Sequence, residues 1–313
     1  MASQPKIELV VNSRCILGES PVWDERTGTL YFVDINSKRL HAFVLATGQQ
    51  YGLDFYEKVG TIAPTTDKSK LLAALSRDVV IVDLDKRLVG PAVATVPESH
   101  GVEEMRFNDG KASPAGVFVV GRMHNKWRDN NPGRLYAMRL QSIPESSTFQ
   151  ELLTPEEVVL PNGMAWDTQR SLMYFVDTGL STITAYKTDG EGVPVRNSDG
   201  KHDSRVVVTI PKEEGIPDGM TIAADGNLWV ALADGGAVAC YDANSGKQLH
   251  KVQLPVKRPT ACTFGGPGLK QLFVTTREEP GNNPSEHWGG VFSVEVEGVK
   301  GAAAAYAVKL PVQ

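Results

Sequence analysis

The feature that most restricts this chain is a recurrence. Short apolar runs with strand-like composition return along it: Leu30-Tyr31-Phe32-Val33-Asp34, Leu71-Leu72-Ala73-Ala74-Leu75, Val117-Phe118-Val119-Val120, Met173-Tyr174-Phe175-Val176-Asp177, Leu228-Trp229-Val230-Ala231 and Leu272-Phe273-Val274-Thr275. Successive starts lie 41 to 56 residues apart, close to the roughly 40 to 50 residues that one four-stranded propeller blade occupies. A second run often follows the first, as in Arg39-Leu40-His41-Ala42-Phe43 and Ala237-Val238-Ala239-Cys240-Tyr241, and reads as the next strand of its blade. Glycine and proline punctuate the intervals, and long amphipathic helical patterns are absent. The pattern predicts an all-β fold, a six-bladed β-propeller, with residues 1–313 forming a single domain. Pairing of the terminal runs 7–11 and 303–308 is expected to close the ring and leave no exposed edge. An irregular β-sandwich is the alternative, and the blade-length recurrence argues against it.

Composition removes several classes of partner. A formal net charge of −5, without a Lys/Arg stripe interleaved with aromatics, speaks against nucleic acid. The first residues lack the apolar core of a secretory signal, and no apolar run approaches the ~18 residues of a membrane span. A cytoplasmic protein with no membrane association and no obligate protein partner is expected. Cys15, Cys240 and Cys262 are odd in number and contain no CxxC pair, so they read as buried small hydrophobes.

Superposing the repeats isolates one polar position. Glu19 lies four residues before Trp23 and twelve before Tyr31, and Asn162 lies four before Trp166 and twelve before Tyr174. Asp218 in Pro217-Asp218-Gly219-Met220 matches Asn162 in Pro161-Asn162-Gly163-Met164, and Asn108 precedes Gly116 by the same eight residues that separate Asp218 from Gly226. Equivalent positions on innermost strands are related by rotation about the propeller axis, so these four side chains can converge on the central channel. Two carboxylates with amide oxygens suit a hard divalent cation. Taken singly, Asp-Gly and Asn-Gly are turn formers; turn chemistry does not, however, require a carboxylate at a fixed distance before the same strand.

The segments Gly18-Glu19-Ser20-Pro21-Val22-Trp23, Arg106-Phe107-Asn108-Asp109-Gly110-Lys111, Asn162-Gly163-Met164-Ala165-Trp166, Pro217-Asp218-Gly219-Met220, Gly226-Asn227-Leu228-Trp229-Val230-Ala231 and Cys262-Thr263-Phe264-Gly265-Gly266 carry a resemblance. In this order they resemble the senescence marker protein 30/gluconolactonase/regucalcin family nearly end to end. The resemblance implies a six-bladed propeller with a central metal-binding channel and lactonase activity on aldonolactones. Carried over by position, it makes Glu19, Asn162 and Asp218 the metal ligands, and Arg106 and Asn108 substrate-binding residues. The cofactor is then one divalent ion, with calcium, magnesium, manganese, zinc and iron all open, and the partner is a small-molecule sugar lactone. Asp218 is the choice for general base, since a carboxylate beside the metal can deprotonate the attacking water. An ordinary surface salt bridge is the alternative for Arg106, and Asp109 reads as a turn former.

One segment departs from the family pattern. After Gly121-Arg122-Met123, where vertebrate members carry an acidic pair facing the sugar, this chain has His124-Asn125-Lys126-Trp127. Lys126 becomes a candidate substrate-binding residue, and residues 127–133 read either as part of a lid or as a solvated loop. A Gly-x-Ser-x-Gly elbow, a His-Glu-x-x-His helix and a phosphate-cradling glycine loop are all missing. Two other functions stay in competition with the lactonase: a non-catalytic calcium-binding regulator of the regucalcin type, and a metal-dependent hydrolase of other esters or phosphoesters. The Arg106–Asn108 pair disfavours the regulator, because an ion binder has no use for sugar contacts.

Overall fold

The computed structural model describes residues 4–100, 104–129, 132–141, 147–303 and 305–311. Their strands form six four-stranded antiparallel sheets, and five of these run outward in chain order. The innermost strands are Gly18–Asp24, Thr61–Pro64, Met105–Ala112, Pro161–Asp167, Ile216–Ile222 and Pro259–Gly265. Each touches the innermost strands of the blades on both sides, which closes a six-bladed propeller around a channel.

The recurrent apolar runs are the second strands, for example Thr29–Asp34 and Leu172–Asp177. Both faces of such a strand lie under a neighbouring blade, which explains why the runs are continuously apolar instead of alternating. The core is accordingly six apolar layers, one between each pair of consecutive blades. Val22, Tyr31, Ile62 and Leu71 belong to the first layer, and Trp23, Phe32 and Phe273 to the layer where the ring closes. The three cysteines are buried and free.

Ring closure differs from expectation. The N-terminal strand Lys6–Val11 does complete a blade, but it pairs with Val291–Glu295 and becomes the outermost strand of the sixth sheet. The C-terminal run crosses the channel end instead. Gly301 bridges Ala223 of the fifth blade, and Val308 pairs in parallel with Thr65 of the second. Its alanines explain the difference: Ala302, Ala303 and Ala305 are small enough to pass over the converging strand ends, where they line a cavity of about 70 Å³ with Lys111 and Trp166. The other mouth of the channel is open to the starts of the innermost strands. Among the described residues, no helix is long and apolar enough to cross a membrane.

Candidate functional site

Strand register defines one position per blade. The heads of the second strands pair Leu30 with Trp23, Leu71 with Pro64, Phe118 with Ala112, Met173 with Trp166, Leu228 with Ile222 and Leu272 with Phe264. Four residues back from each innermost-strand partner lie Glu19, Gly60, Asn108, Asn162, Asp218 and Thr260. Gly60 offers no donor; a Cβ there would stand 2.2 Å from the Phe107 carbonyl oxygen. Thr260 turns into the ring and donates to the Gly18 carbonyl. The remaining four, Glu19, Asn108, Asn162 and Asp218, line one cavity of about 210 Å³ together with Arg106, Trp127 and Arg277.

A shared irregularity aims them. In the first blade Glu19 and Val22 pair with Val33 and Tyr31, so the innermost strand carries one residue more than its neighbour. The same bulge recurs between Phe107 and Gly110, Pro161 and Met164, and Pro217 and Met220. A bulge breaks the two-residue alternation and re-aims a side chain, which is why bulges gather at functional sites. The strand approaches are fixed from below by carboxylates at the ends of second strands. Asp34 accepts from the backbone N–H groups of Ile16 and Leu17 at 2.8 and 3.0 Å, and Asp177 accepts from Val159 and Leu160 at 2.9 and 3.0 Å.

Around the ligand candidates the hydrogen bonds leave oxygens available. Asn162 donates its Nδ2 to Thr178 Oγ1 at 3.0 Å, and Thr178 in turn donates to the Pro217 carbonyl at 2.6 Å. That chain holds the amide so that its Oδ1 is buried without a partner, and the Oδ1 of Asp218 is likewise buried and unpartnered. Unsatisfied buried acceptors are costly unless something meets them. Glu19 is buried beside them. Burial, reinforced by Asp218 and Asp109, pushes the Glu19 carboxyl well above its ordinary range. Burial and then the Asp109 charge push Asp218 up to about 7, with Arg277 and Arg106 opposing. A buried carboxylate and a half-buried one that raises it, with a fixed amide oxygen alongside, match a hard divalent cation in donor type and charge. Among the described residues no three His, Cys, Asp or Glu side chains form a metal-sized group, so Asn162 is needed to complete the set.

Arg106 is half-buried and donates from Nη1 to Asn108 Oδ1 at 2.8 Å and to the Phe107 carbonyl at 2.9 Å. Asn108 donates to the Pro161 carbonyl at 2.9 Å. The pair therefore forms one wall, with Asn108 steering the guanidinium. Burial lowers the Arg106 guanidinium to about 10, and Glu19 and Asp218 work against that. Lys126 is not brought to this wall. Its side chain is 60% exposed and its Nζ pairs with Glu104 at 2.8 Å, while the adjacent Trp127 and Arg128 face the cavity. Of the 127–133 loop, residues 130–131 lie outside the described residues.

Three contributors escape sequence reasoning. Asp109, read as a turn former, is buried in the channel, accepts from Gly110 N at 2.7 Å and acts on both ligand carboxylates. Thr178 orients Asn162. Arg277 reaches the mouth because its backbone bridges Leu17, two residues before Glu19. The repeat alignment contained a signal for Thr178, which directly follows the Val176-Asp177 strand end, but none for Arg277.

Comparison with known proteins places the chain in one family of propellers. A family model described as the SMP-30/Gluconolactonase/LRE-like region matches residues 17–278. Regucalcin of Xenopus laevis is 31% identical over 310 residues, covering 96% of this chain and 98% of its own. A Bacillus subtilis (strain 168) protein provisionally named sugar lactone lactonase YvrE is 30% identical, covering 92% and 94%. Among solved structures, a calcium-binding protein, regucalcin, from Agrobacterium tumefaciens shares the fold with a TM-score of 0.85 at 24% identity, covering 99% of this chain and 98% of that one.

Proposed function

The chain belongs to the SMP-30/gluconolactonase family, and we propose that it is a cytoplasmic hydrolase that opens sugar-acid lactones with one divalent cation held by Glu19, Asn162 and Asp218. The observation that carries the reading is the pair of buried, unpartnered oxygens on Asn162 and Asp218, set beside Glu19 in a cavity that also holds Arg106. One relative is named for sugar lactone lactonase activity and one structural neighbour is described as calcium-binding, which fits the same two properties, lactone opening and ion binding.

A divalent ion at these residues supplies Lewis acidity toward the lactone carbonyl. Asp218 is the carboxylate assigned to accept the proton of an attacking water, a role typically worth about 10²–10⁴ in rate. Arg106, oriented by Asn108, donates to ring or hydroxyl oxygens of the sugar. Water adds to the carbonyl carbon, the acyl–oxygen bond of the ring breaks, and the proton held by Asp218 passes to the departing oxygen. The products are a carboxylate and a free hydroxyl, with the remaining proton released to solvent.

The test is acid release from a panel of pentono- and hexonolactones, corrected for spontaneous hydrolysis, with and without chelator. Chelation should abolish release and a restored divalent ion should recover it. Full activity in a sample shown by elemental analysis to be metal-free would overturn the mechanism. Tight ion binding with no release from any lactone would favour the regulatory reading.

A further inference from the structure

Four arginines line the cavity, and three of them are accounted for. Arg106 bonds to Asn108 and the Phe107 carbonyl. Arg258 pairs with Asp234 at 2.6 Å, and Arg128 lies over the Trp127 ring at 4.3 Å. Arg277 differs. Among the described residues no carboxylate stands within ion-pairing distance of it, its side chain makes no hydrogen bond, and its Nε is buried. It is placed by design of the fold: it directly follows the second strand of the sixth blade, Gln271–Thr276, with its N–H bonded to the Arg258 carbonyl at 3.0 Å.

The third and sixth blades stand opposite one another in a ring of six, so Arg106 and Arg277 approach the cavity from opposed walls. Both act electrostatically on Asp218, and each is close enough to be felt by that carboxylate. The two ligand carboxylates match the charge of one divalent ion and Asp109 is matched by Lys111, which leaves a guanidinium on each side of the cavity without a counter-charge. A half-buried guanidinium is best satisfied when its planar fork meets an anion. Arg106 has its place beside the sugar ring; a neutral lactone gives Arg277 nothing of matching charge.

We propose that the cavity takes a sugar-acid lactone bearing a second anionic group, a carboxylate or a phosphate, at the end remote from the reacting carbonyl, and that Arg277 receives that group. This rests on the lactonase reading above for the reaction, though not for the binding. Charged hydrogen bonds of this kind contribute about tenfold or more to affinity.

The test compares kcat/KM for glucono-1,5-lactone, for its glucaro analogue with a carboxylate at the far carbon, and for its 6-phosphate. At least one anionic lactone should be preferred by about tenfold or more, as expected for a charge-assisted contact. Arg277→Met should collapse that ratio toward one, and Arg277→Lys should recover part of it. Whichever anionic lactone is preferred identifies the group. A parallel calorimetric titration with the open-chain acids gluconate and glucarate, at matched metal concentration, reads binding without turnover; glucarate should bind more tightly, and Arg277→Met should remove the difference. Arg277→Gln serves if the Met variant fails to fold. Hydrolysis of lactones with no anion preference, or an equal loss on all three in Arg277→Met, overturns the proposal and leaves the lactonase reading standing. Absent hydrolysis with a retained glucarate advantage would overturn the lactonase reading alone.

Discussion

At the scale of single residues, the site is a set of charges that folding holds in unfavourable company. Asp218 lies up at about 7 because its carboxylate is desolvated and feels the Asp109 charge. Between the ordinary carboxylate range and about 7, the metal-free folded protein therefore keeps a proton that the unfolded chain has released. Stability must fall as pH rises through that interval, the reverse of the behaviour of a salt-bridged carboxylate. Glu19, raised for the same causes, acts in the same direction. Thermal unfolding in chelator from pH 4.5 to 8 should show this decline, Asp218→Asn should make it shallower, and a saturating divalent ion should reverse it. Parallel curves for wild type and variant would contradict the electrostatic account. Residues that repeat in register were legible in the sequence: Glu19, Asn108, Asn162 and Asp218 share a count from the same strand. Asp109 was not, because an Asp-Gly step in a sequence looks like a turn, and only the bulge at Phe107–Gly110 buries it. Lys126 stood out by departing from the family pattern, yet its neighbours Trp127 and Arg128 are the ones on the wall.

At the scale of the element, the innermost strands pack so closely that several positions have no room for a Cβ. A Cβ on Gly219 would stand 2.3 Å from the Ala261 Cβ of the sixth blade, and one on Gly163 would stand 2.3 Å from the Met220 backbone nitrogen of the fifth. Each glycine follows a candidate ligand directly, so close approach and ligand placement are one constraint. Gly219→Ala should cost about 1–3 kcal/mol, the usual range for overpacking, and should weaken metal binding by moving Asp218. The control is Gly190→Ala, where nothing lies within 4 Å. Thermal unfolding with a metal titration reads both effects; unchanged metal affinity in a destabilised Gly219→Ala would separate packing from the site. The sequence showed these Asn-Gly and Asp-Gly steps, but local turn chemistry and inter-blade contact leave the same mark in it. Only the register of neighbouring strands tells them apart.

At the scale of the whole molecule, the blade count was legible because a period of blade length leaves few architectures, whereas the closure was not. Two terminal strand-like runs suggested each other as partners, yet Val291–Glu295 offered Lys6–Val11 the edge already present in the sixth sheet. Removing residues 1–11 should expose that edge, broaden the unfolding transition and favour association, as scanning calorimetry and size-exclusion chromatography would detect; a cooperative monomer of unchanged stability would contradict the closure. The ring matters because it carries four equivalent positions to one cavity, where Asp218 is assigned both ligand and base and Asn162 ligand alone. The most direct measurement is kcat of Asp218→Asn at saturating metal, with metal content determined on the same sample and Asn162→Asp in parallel. Asp218→Asn should retain about one ion per chain yet lose roughly 10²-fold or more in kcat, while Asn162→Asp holds its metal and loses less. Near-normal kcat in metal-loaded Asp218→Asn would mean that this carboxylate is not the base.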